Sequence, residues 1–269
     1  MVGYRYKVLL IDDEPGQLEL TRMALEQEKE INIEVAVSAM SGLEMIASDN
    51  YDAVVSDYRM PGMNGIDLLR SLRSSGNNIP FLLFTGHSRE EIAIAALNEG
   101  ADFYIRKGMD IESQFAELRN AVVQSIRRKG AETLVAEVFR SSPVLMMVMD
   151  GDRRIYAPND PVGDLAHLPL SDLIGLRCGN AFRCVHSQEN ELGCGFSVSC
   201  VRCKIWAAVR KSIGEGATIR RVKTDIPTVV DGQRKDLPIL VSTSPMRAYG
   251  RDLALVCIED LSDIKDDIC

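Results

Sequence analysis

The sequence predicts two successive folds, an α/β domain with a doubly wound parallel sheet and then an α+β domain with an antiparallel sheet. Residues 4–128 alternate strand and helix patterns five times with short connections, which indicates a parallel sheet with helices on both faces. From about residue 141, strand-like runs follow one another across turns. A length of 269 residues with 46% hydrophobic content is sufficient for two cores.

The elements of the first domain follow from apolar periodicity. Asp13-Glu14-Pro15 is a typical helix start, with acids and a proline at the first turn. The last helix ends, on this reading, at the basic residues 127–129 and Gly130. We expect the strand order 2-1-3-4-5. Strands are predicted near residues 6–11, 33–37, 53–57, 80–85 and 102–106, and helices near 15–27, 41–48, 65–74, 89–98 and 111–128.

Carboxylates follow two of these strands. The apolar run 53–55 is too short for a helix and leads to Asp57, before Pro61-Gly62 forces the chain out of regular structure. A second apolar run, 8–11, ends in Asp12-Asp13-Glu14. Open α/β sheets place their ligand sites at the carboxyl ends of strands, so at least three carboxylates converge there if the strands are neighbours.

Such charges repel each other by roughly 4 kcal/mol at a separation of about 4 Å in an effective dielectric near 20. Either one carboxyl is protonated or a hard cation binds, and oxygen ligands suit Mg²⁺ better than zinc. Thr85 and Lys107 follow two further strands and add a hydroxyl and an ammonium. Together these groups predict a phosphoryl-transfer site, whereas each taken alone is an ordinary polar residue at a strand end.

Four motifs together resemble the response-regulator receiver domain of two-component systems. They are Asp12-Asp13, Asp57 with Met60-Pro61-Gly62, Thr85-Gly86, and Gly100-Ala101-Asp102 through Lys107. The resemblance covers roughly residues 4–128. It implies a receiver that catalyses only its own phosphorylation and dephosphorylation, with a cognate histidine kinase or phosphotransfer protein as partner.

The resemblance also implies roles for individual residues. Asp57 is the expected phosphoacceptor, and Thr85 and Lys107 are expected to contact the phosphoryl oxygens. Thr85 and Tyr104 are the expected switch residues. The expected Mg²⁺ ligands are Asp12, Asp13, Asp57 and the backbone carbonyl of Arg59.

Two features concern the surroundings of this expected site. Gly108 stands where receivers usually have proline after the lysine, so the loop is less constrained. Arg59 and His87 occupy positions that tune dephosphorylation in the family, and we expect them to make it slow.

The second domain begins with a hairpin signal, two strand-like segments around the turn 150–152. Strand-like runs at 217–230, 238–248 and 252–258 close it. With the small helices between them, these elements resemble a PAS domain over about residues 134–265, which implies ligand sensing or dimerisation. We therefore expect a receiver at 1–128, a helical linker at 129–140 and a PAS-like domain at 141–269, with a homodimer formed through the PAS-like domain or the receiver's C-terminal face.

All seven cysteines lie at or beyond residue 178, and five fall between 178 and 203. In a reducing compartment such a group is more often a metal site than a disulfide framework. The two-residue gap between Cys200 and Cys203 suits metal ligation, and the predicted ligands are Cys184, Cys194, Cys200 and Cys203. Cys178 and His186 are left outside this set. Structural zinc, an iron–sulfur cluster, a redox disulfide and unliganded thiols all remain open.

Composition limits the function classes. The net charge of −8 and the lack of a recognisable reading module argue against direct binding of nucleic acid. Without an apolar run approaching 18 residues or a signal peptide, we expect a cytoplasmic protein that does not contact a membrane. Two alternatives to a two-domain response regulator are an input fragment of a larger hybrid sensor kinase and a redox or metal sensor in which the receiver is regulatory.

Overall fold

The structure is a computed structural model that describes residues 5–27, 30–86, 90–108, 110–230 and 233–262. The chain divides into two compact units, Met1–Thr133 and Leu134–Cys269. Within the described residues, no helix combines the length and the apolar character needed to cross a membrane.

The first unit contains five strands alternating with helices, as the sequence predicts. Its elements are β1 (Tyr6–Ile11), α1 (Pro15–Leu25), β2 (Ile31–Ala36), α2 (Ala39–Ser48), β3 (Ala53–Ser56), α3 (Gly65–Ser74), β4 (Phe81–Thr85), α4 (Glu90–Asn98), β5 (Phe103–Arg106) and α5 (Ile111–Ser141).

These five strands form a parallel sheet in the order β2-β1-β3-β4-β5, which confirms the predicted order. Alternate residues of β1 enter different cores: Val8 and Leu10 pack with α1 and α5, and Leu9 and Ile11 pack with α2 and α3. Because both faces are covered, the central strands are continuous apolar runs, and every residue of β3 is buried.

The turn after β3 is shaped by a close approach between backbone segments. Asn64 caps α3, since its side-chain oxygen accepts hydrogen bonds from the N–H groups of Ile66 and Asp67 at 2.9 and 3.0 Å. The next residue, Gly65, packs so tightly that a Cβ atom there would lie 2.3 Å from the carbonyl oxygen of Asp57. The start of α3 is therefore held directly against the residue that ends β3.

The predicted end of α5 at residues 127–130 is wrong. The helix continues through Gly130 to Ser141. Residues 131–140 are mostly good helix formers, and in an established helix a single glycine costs only about 1 kcal/mol, which is too little to stop propagation. The buried stripe of this helix is Phe115, Leu118, Val122 and Ile126, and residues 131–138 are exposed.

The second unit begins with a hairpin and ends with three long strands. The longest helix of this unit, α10, is not among the elements that the sequence predicts. The elements are β6 (Leu145–Met149), β7 (Ile155–Pro158), α6 (Asp160–Ala166), α7 (Leu170–Leu173), α8 (Cys178–Ala181), α9 (Val185–Gln188), a 3₁₀ helix (Val198–Arg202), α10 (Lys204–Glu215), β8 (Ile219–Val230), β9 (Gln233–Ala248) and β10 (Arg251–Asp260).

The strands of this unit form a five-stranded antiparallel sheet in the order β7-β6-β10-β9-β8. This confirms the predicted antiparallel α+β class. Its core lies between one face of the sheet, including Met147, Val241 and Val256, and the helices, including Val162 and Val209. Ser212 of α10 and Thr243 of β9 are both buried and share a hydrogen bond of 2.7 Å.

We predict that Gly65→Ala destabilises the first unit by about 1–3 kcal/mol, because the new methyl group meets the Asp57 carbonyl and the Leu83 side chain. Gly16→Ala is the matched control, since nothing lies within 4 Å of a Cβ at that position of α1. Denaturant unfolding followed by circular dichroism measures both variants. Equal stability of the two variants would contradict this account of the turn.

Candidate functional site

The centre of the candidate site is Asp57, the residue after β3. Its backbone N–H donates to the carbonyl oxygen of Ile11 at 2.8 Å, which extends the β1–β3 pairing by one residue. Its side chain is largely buried, with 9% of the residue exposed. The carboxylate therefore sits at the carboxyl edge of the sheet, where the β1 and β3 ends meet.

Lys107 joins this carboxylate to that of Asp12. Its Nζ lies 2.8 Å from Asp57 Oδ1 and 2.7 Å from Asp12 Oδ2. The three residues come from the ends of β1 and β3 and the residue after β5, and the Lys107 backbone N–H also donates to the carbonyl of Thr85 at 2.8 Å. Asp12 is 5% exposed, and its Oδ1 accepts a hydrogen bond from the Glu14 N–H at 2.9 Å.

The charges of this trio decide the ionisation of Lys107. Burial alone would lower its pKa, but the hydrogen bonds to Asp12 and Asp57 and their negative charges outweigh burial, so the pKa is raised. The ammonium is therefore charged throughout the neutral pH range. Each of its partners accepts a charge-assisted hydrogen bond, which is stronger than a neutral one.

A cavity of about 600 Å³ lies in front of these groups. Its wall includes the three acids Asp12, Asp13 and Asp57, together with Arg59 and Gly86. The donors are hard oxygens, which is the chemistry that Mg²⁺ prefers. In the described part of the chain, no group of three or more His, Cys, Asp or Glu side chains is arranged to hold a metal ion, and Lys107 lies between Asp12 and Asp57.

The remaining predicted residues lie around this cavity. Thr85 is fully buried at the end of β4, and the following residue, Gly86, forms the cavity wall. Tyr104, on β5, is half-buried, and burial raises the pKa of its phenol while the charge of Arg106 opposes that shift. Arg59 has an exposed side chain and donates its backbone N–H to Asp57 Oδ2. His87 lies outside the described residues.

Comparison with known families agrees with this geometry. The family model of the response regulator receiver domain matches residues 8–122, a range that contains the whole carboxylate and lysine site. Residues 8–122 are a response regulator receiver domain. Such domains act as phosphoacceptors in two-component signalling.

Curated response regulators match slightly more than half of the chain. The response regulator MprA of Mycolicibacterium vanbaalenii is 33% identical over 152 residues, which is 55% of this chain and 65% of that protein. MprA of Mycobacterium avium is 34% identical over 152 residues, or 55% of this chain and 66% of that protein. The chain thus covers slightly less than two thirds of the length of these relatives.

Solved structures cover the receiver domain. The receiver domain of the Francisella response regulator 1452 is 30% identical and covers 46% of this chain and 99% of its own, with a TM-score of 0.43. A receiver domain protein from Clostridium thermocellum is also 30% identical and covers 47% and 98%, with a TM-score of 0.43. The family comparison does not support the PAS resemblance, and the second unit is an antiparallel α+β domain of unassigned family.

The cysteine segment belongs to the second unit. Five thiols line one cavity there, those of Cys178, Cys184, Cys194, Cys200 and Cys203. All are free thiols. His186 also lines the cavity, and its Nδ1 lies 2.6 Å from Glu189 Oε1.

The structure distinguishes among these thiols in a way that the spacing did not. Burial raises the pKa of Cys178, and the negative charges of Cys194, Cys203 and Cys184 raise it further. Cys178, which lies outside the predicted ligand set, lines the same cavity as the four predicted ligands. Cys200 is buried, and its sulfur accepts a hydrogen bond from the Gly195 N–H at 3.2 Å.

Sequence reasoning also missed Arg153, which lines the same cavity with its guanidinium 4.5 Å from the ring centroid of Trp206. No spacing rule relates it to the cysteines, because it belongs to the β6–β7 turn.

We predict that Lys107→Met lowers the stability of the receiver domain by about 3 kcal/mol and makes that stability depend more strongly on Mg²⁺ than in the unmodified chain. Removing the ammonium leaves two buried carboxylates without a cation, and a divalent ion then replaces it. Since the pKa of Lys107 is raised above 10.5, its stabilising contribution is fully present at neutral pH and is lost only as pH rises beyond that value.

Thermal unfolding at pH 7 with and without Mg²⁺ measures both effects. Lys107→Arg keeps the positive charge and serves as the control, with a smaller loss and a weaker response to Mg²⁺. If Lys107→Met and Lys107→Arg lose equal stability and respond equally to Mg²⁺, then neutralising the carboxylates by charge is not the function of this side chain.

Proposed function

We propose that Asp57 accepts a phosphoryl group from a histidine kinase or phosphotransfer protein in a Mg²⁺-dependent reaction, and that this event regulates the second domain. The observation that carries the proposal is the position of Asp57. It ends a buried strand, opens onto a cavity, and is hydrogen-bonded to a lysine that also binds Asp12.

The chain's own residues supply most of what the transfer needs. An oxygen of the Asp57 carboxylate attacks phosphorus, a P–O bond forms, and the bond from phosphorus to the donor breaks, with its electron pair leaving on the donor. The buried surroundings and the fixed turn before α3 hold the carboxylate in one orientation. Lys107, already charged and within reach of Asp57, stabilises the negative charge that accumulates on the phosphoryl oxygens.

Asp12, Asp13, Asp57 and the Arg59 carbonyl would hold Mg²⁺, which would supply further charge neutralisation for the phosphoryl group. Asp12 accepts a backbone hydrogen bond from Glu14, which orients its carboxylate toward the cavity. Asp13 and Arg59 stand on the cavity wall beside it. This set is all oxygen, so it discriminates against softer metals.

A switch through Thr85 and Tyr104 is part of the same proposal. β4 and β5 are adjacent and parallel, and Thr85 pairs in register with Arg106, two residues after Tyr104. The Lys107 N–H to Thr85 carbonyl bond ties the lysine to the end of β4. A phosphoryl group that draws Lys107 and Thr85 toward Asp57 therefore changes the packing of the half-buried Tyr104.

For the second domain we propose a PAS-like sensory or dimerisation role. Strand order is what supports it. Numbered within their own sheet, the five strands lie in the order 2-1-5-4-3, with the short helices between the second and third, which resembles the PAS arrangement. The receiver then regulates, or is regulated by, what this domain binds.

Phosphorylation of Asp57 has a direct test. Incubation with a small-molecule phosphodonor and Mg²⁺ is expected to add one acid-labile phosphoryl group, measured by intact mass, and Asp57→Asn is expected to abolish it. Asp13→Ala is expected to reduce labelling by at least about tenfold, because it removes a metal ligand.

The control is Asp49→Asn, a half-exposed carboxylate that pairs with Lys7 at the opposite edge of the sheet. Labelling of that variant should equal that of the unmodified chain. Undiminished labelling of Asp57→Asn would overturn the assignment of the phosphoacceptor.

A further inference from the structure

The cysteine cavity of the second unit, which five thiols line, has a volume of about 660 Å³. Small-molecule sites in proteins occupy roughly 300–1,000 Å³, so the cavity has room for a small organic ligand. Its wall also contains apolar side chains from separate segments of the chain, among them Met149, Phe182, Ile205 and Ile226. The cavity therefore combines the size and the apolar lining that such a ligand requires.

One cationic residue of the wall, Arg153, has an unfavourable backbone conformation. Its φ is +66°, in the left-handed region that side chains other than glycine and asparagine seldom adopt. Its N–H donates to the Asp150 carbonyl at 3.3 Å, and its own carbonyl accepts from the Cys178 N–H at 2.9 Å. Unfavourable backbone positions of this kind are concentrated at ligand sites.

The guanidinium of Arg153 is fixed by packing. Its Cζ lies 4.5 Å from the ring centroid of Trp206, a cation–π contact. A Cβ atom on Gly195 would lie only 3.0 Å from Arg153 Nε, so the backbone at Gly195 also packs against the side chain. The orientation of the guanidinium is therefore set before any ligand binds, which lowers the entropy cost of binding.

The hydrogen bonding of this guanidinium is incomplete. Arg153 is half-buried, and its Nη1 is buried without a hydrogen-bond partner among the described residues. Buried donors of this kind normally have an acceptor. The aspartates of the wall, Asp225 and Asp236, are exposed, and Asp236 pairs with Arg234 at 3.2 Å. An anionic group bound in the cavity would accept from Arg153.

The charge of the described wall also favours an anion. It carries four cationic side chains and two carboxylates, whereas the whole chain has a net charge of −8. Three of the cations, Arg202, Lys204 and Arg234, are exposed. Positive side chains around a cavity raise the local concentration of anions.

The kind of anion follows from the pairing geometry. A guanidinium presents two parallel N–H donors that match the two oxygens of a carboxylate. In the described wall only Arg153 among the cations is half-buried, so one negative charge is compensated there and a dianion such as phosphate is not. The apolar wall suits an apolar remainder of the ligand.

We propose that the cysteine cavity binds a small monocarboxylate with an apolar body. The carboxylate pairs with Arg153, and the body lies against the apolar wall. This inference rests on the proposed sensory role of the second domain, and it names the class of molecule that the domain senses.

The experiment uses the fluorescence of Trp206, which lines the cavity and is the one tryptophan of the chain. The full, unphosphorylated chain is titrated with benzoate and with benzamide, a neutral molecule of nearly the same shape. We expect benzoate to saturate with a Kd at or below about 1 mM, and benzamide and inorganic phosphate to bind at least about tenfold more weakly.

Three results would overturn the proposal. The first is equal affinity for benzoate and benzamide, and the second is tighter binding of phosphate than of benzoate. The third is failure of both benzoate and hexanoate to saturate the signal by about 10 mM. Each of these comparisons uses the unmodified chain, so none depends on the folding of a variant.

Variants test the role of Arg153. Arg153→Met is expected to weaken benzoate binding at least about tenfold and to remove the preference over benzamide, while Arg153→Lys keeps the charge without the paired donors and gives an intermediate loss. Arg210→Met is the matched control, since Arg210 is an exposed residue of α10 outside the cavity wall. An equal loss in Arg210→Met and Arg153→Met would show a general charge effect and contradict the site.

Two further measurements separate the causes of a negative result. Near-ultraviolet circular dichroism checks the folding around Trp206, and isothermal titration calorimetry repeats the titrations because Arg153→Met alters the surroundings of that ring. The rate of phosphodonor labelling of Asp57, with and without saturating benzoate, tests the sensory role. Benzoate that binds through Arg153 without changing this rate supports the site and contradicts the sensory role.

Discussion

The arrangement of the receiver domain depends on one electrostatic constraint, the placement of two carboxylates at the adjoining ends of two parallel strands. Asp12 and Asp57 each lie within hydrogen-bond distance of Lys107 Nζ, so their carboxylates are at most about 5.5 Å apart. At that distance two negative charges repel by roughly 3 kcal/mol in an effective dielectric near 20. A cation is needed between them, and Lys107 is delivered by a third strand end.

This constraint connects the fold to its chemistry. The sheet must be parallel for all three strand ends to reach one edge, and both of its faces must be covered for the carboxylates to be buried. The close contact of Gly65 with the Asp57 carbonyl then directs the chain into α3 without displacing the acid. The result is a site in which Lys107 compensates carboxylate charge when no phosphoryl group is bound. A phosphoryl group with its divalent ion can change that compensation.

The cavity of the second unit has a different set of polar and charged groups. It is lined by five cysteines together with arginines, a lysine and two aspartates. Burial raises the pKa of Cys178, Cys184 and Cys203 and therefore opposes ionisation of these thiols. Because the cysteines that line it lie on short helices and loops, this cavity depends on loop conformation, whereas the receiver site depends on a sheet.

Sequence alone determined the α/β and α+β classes, the strand order and the residues at the strand ends, because buried parallel strands are short apolar runs whose ends are marked by polar residues and turns. It did not determine the length of α5, since a basic triplet followed by glycine describes a helix end and a continuing helix equally well. Tertiary structure alone brought Cys178 and Arg153 to the cysteine cavity. Spacing rules describe residues that are close along the chain, and these two reach the cavity from α8 and from the β6–β7 turn through packing.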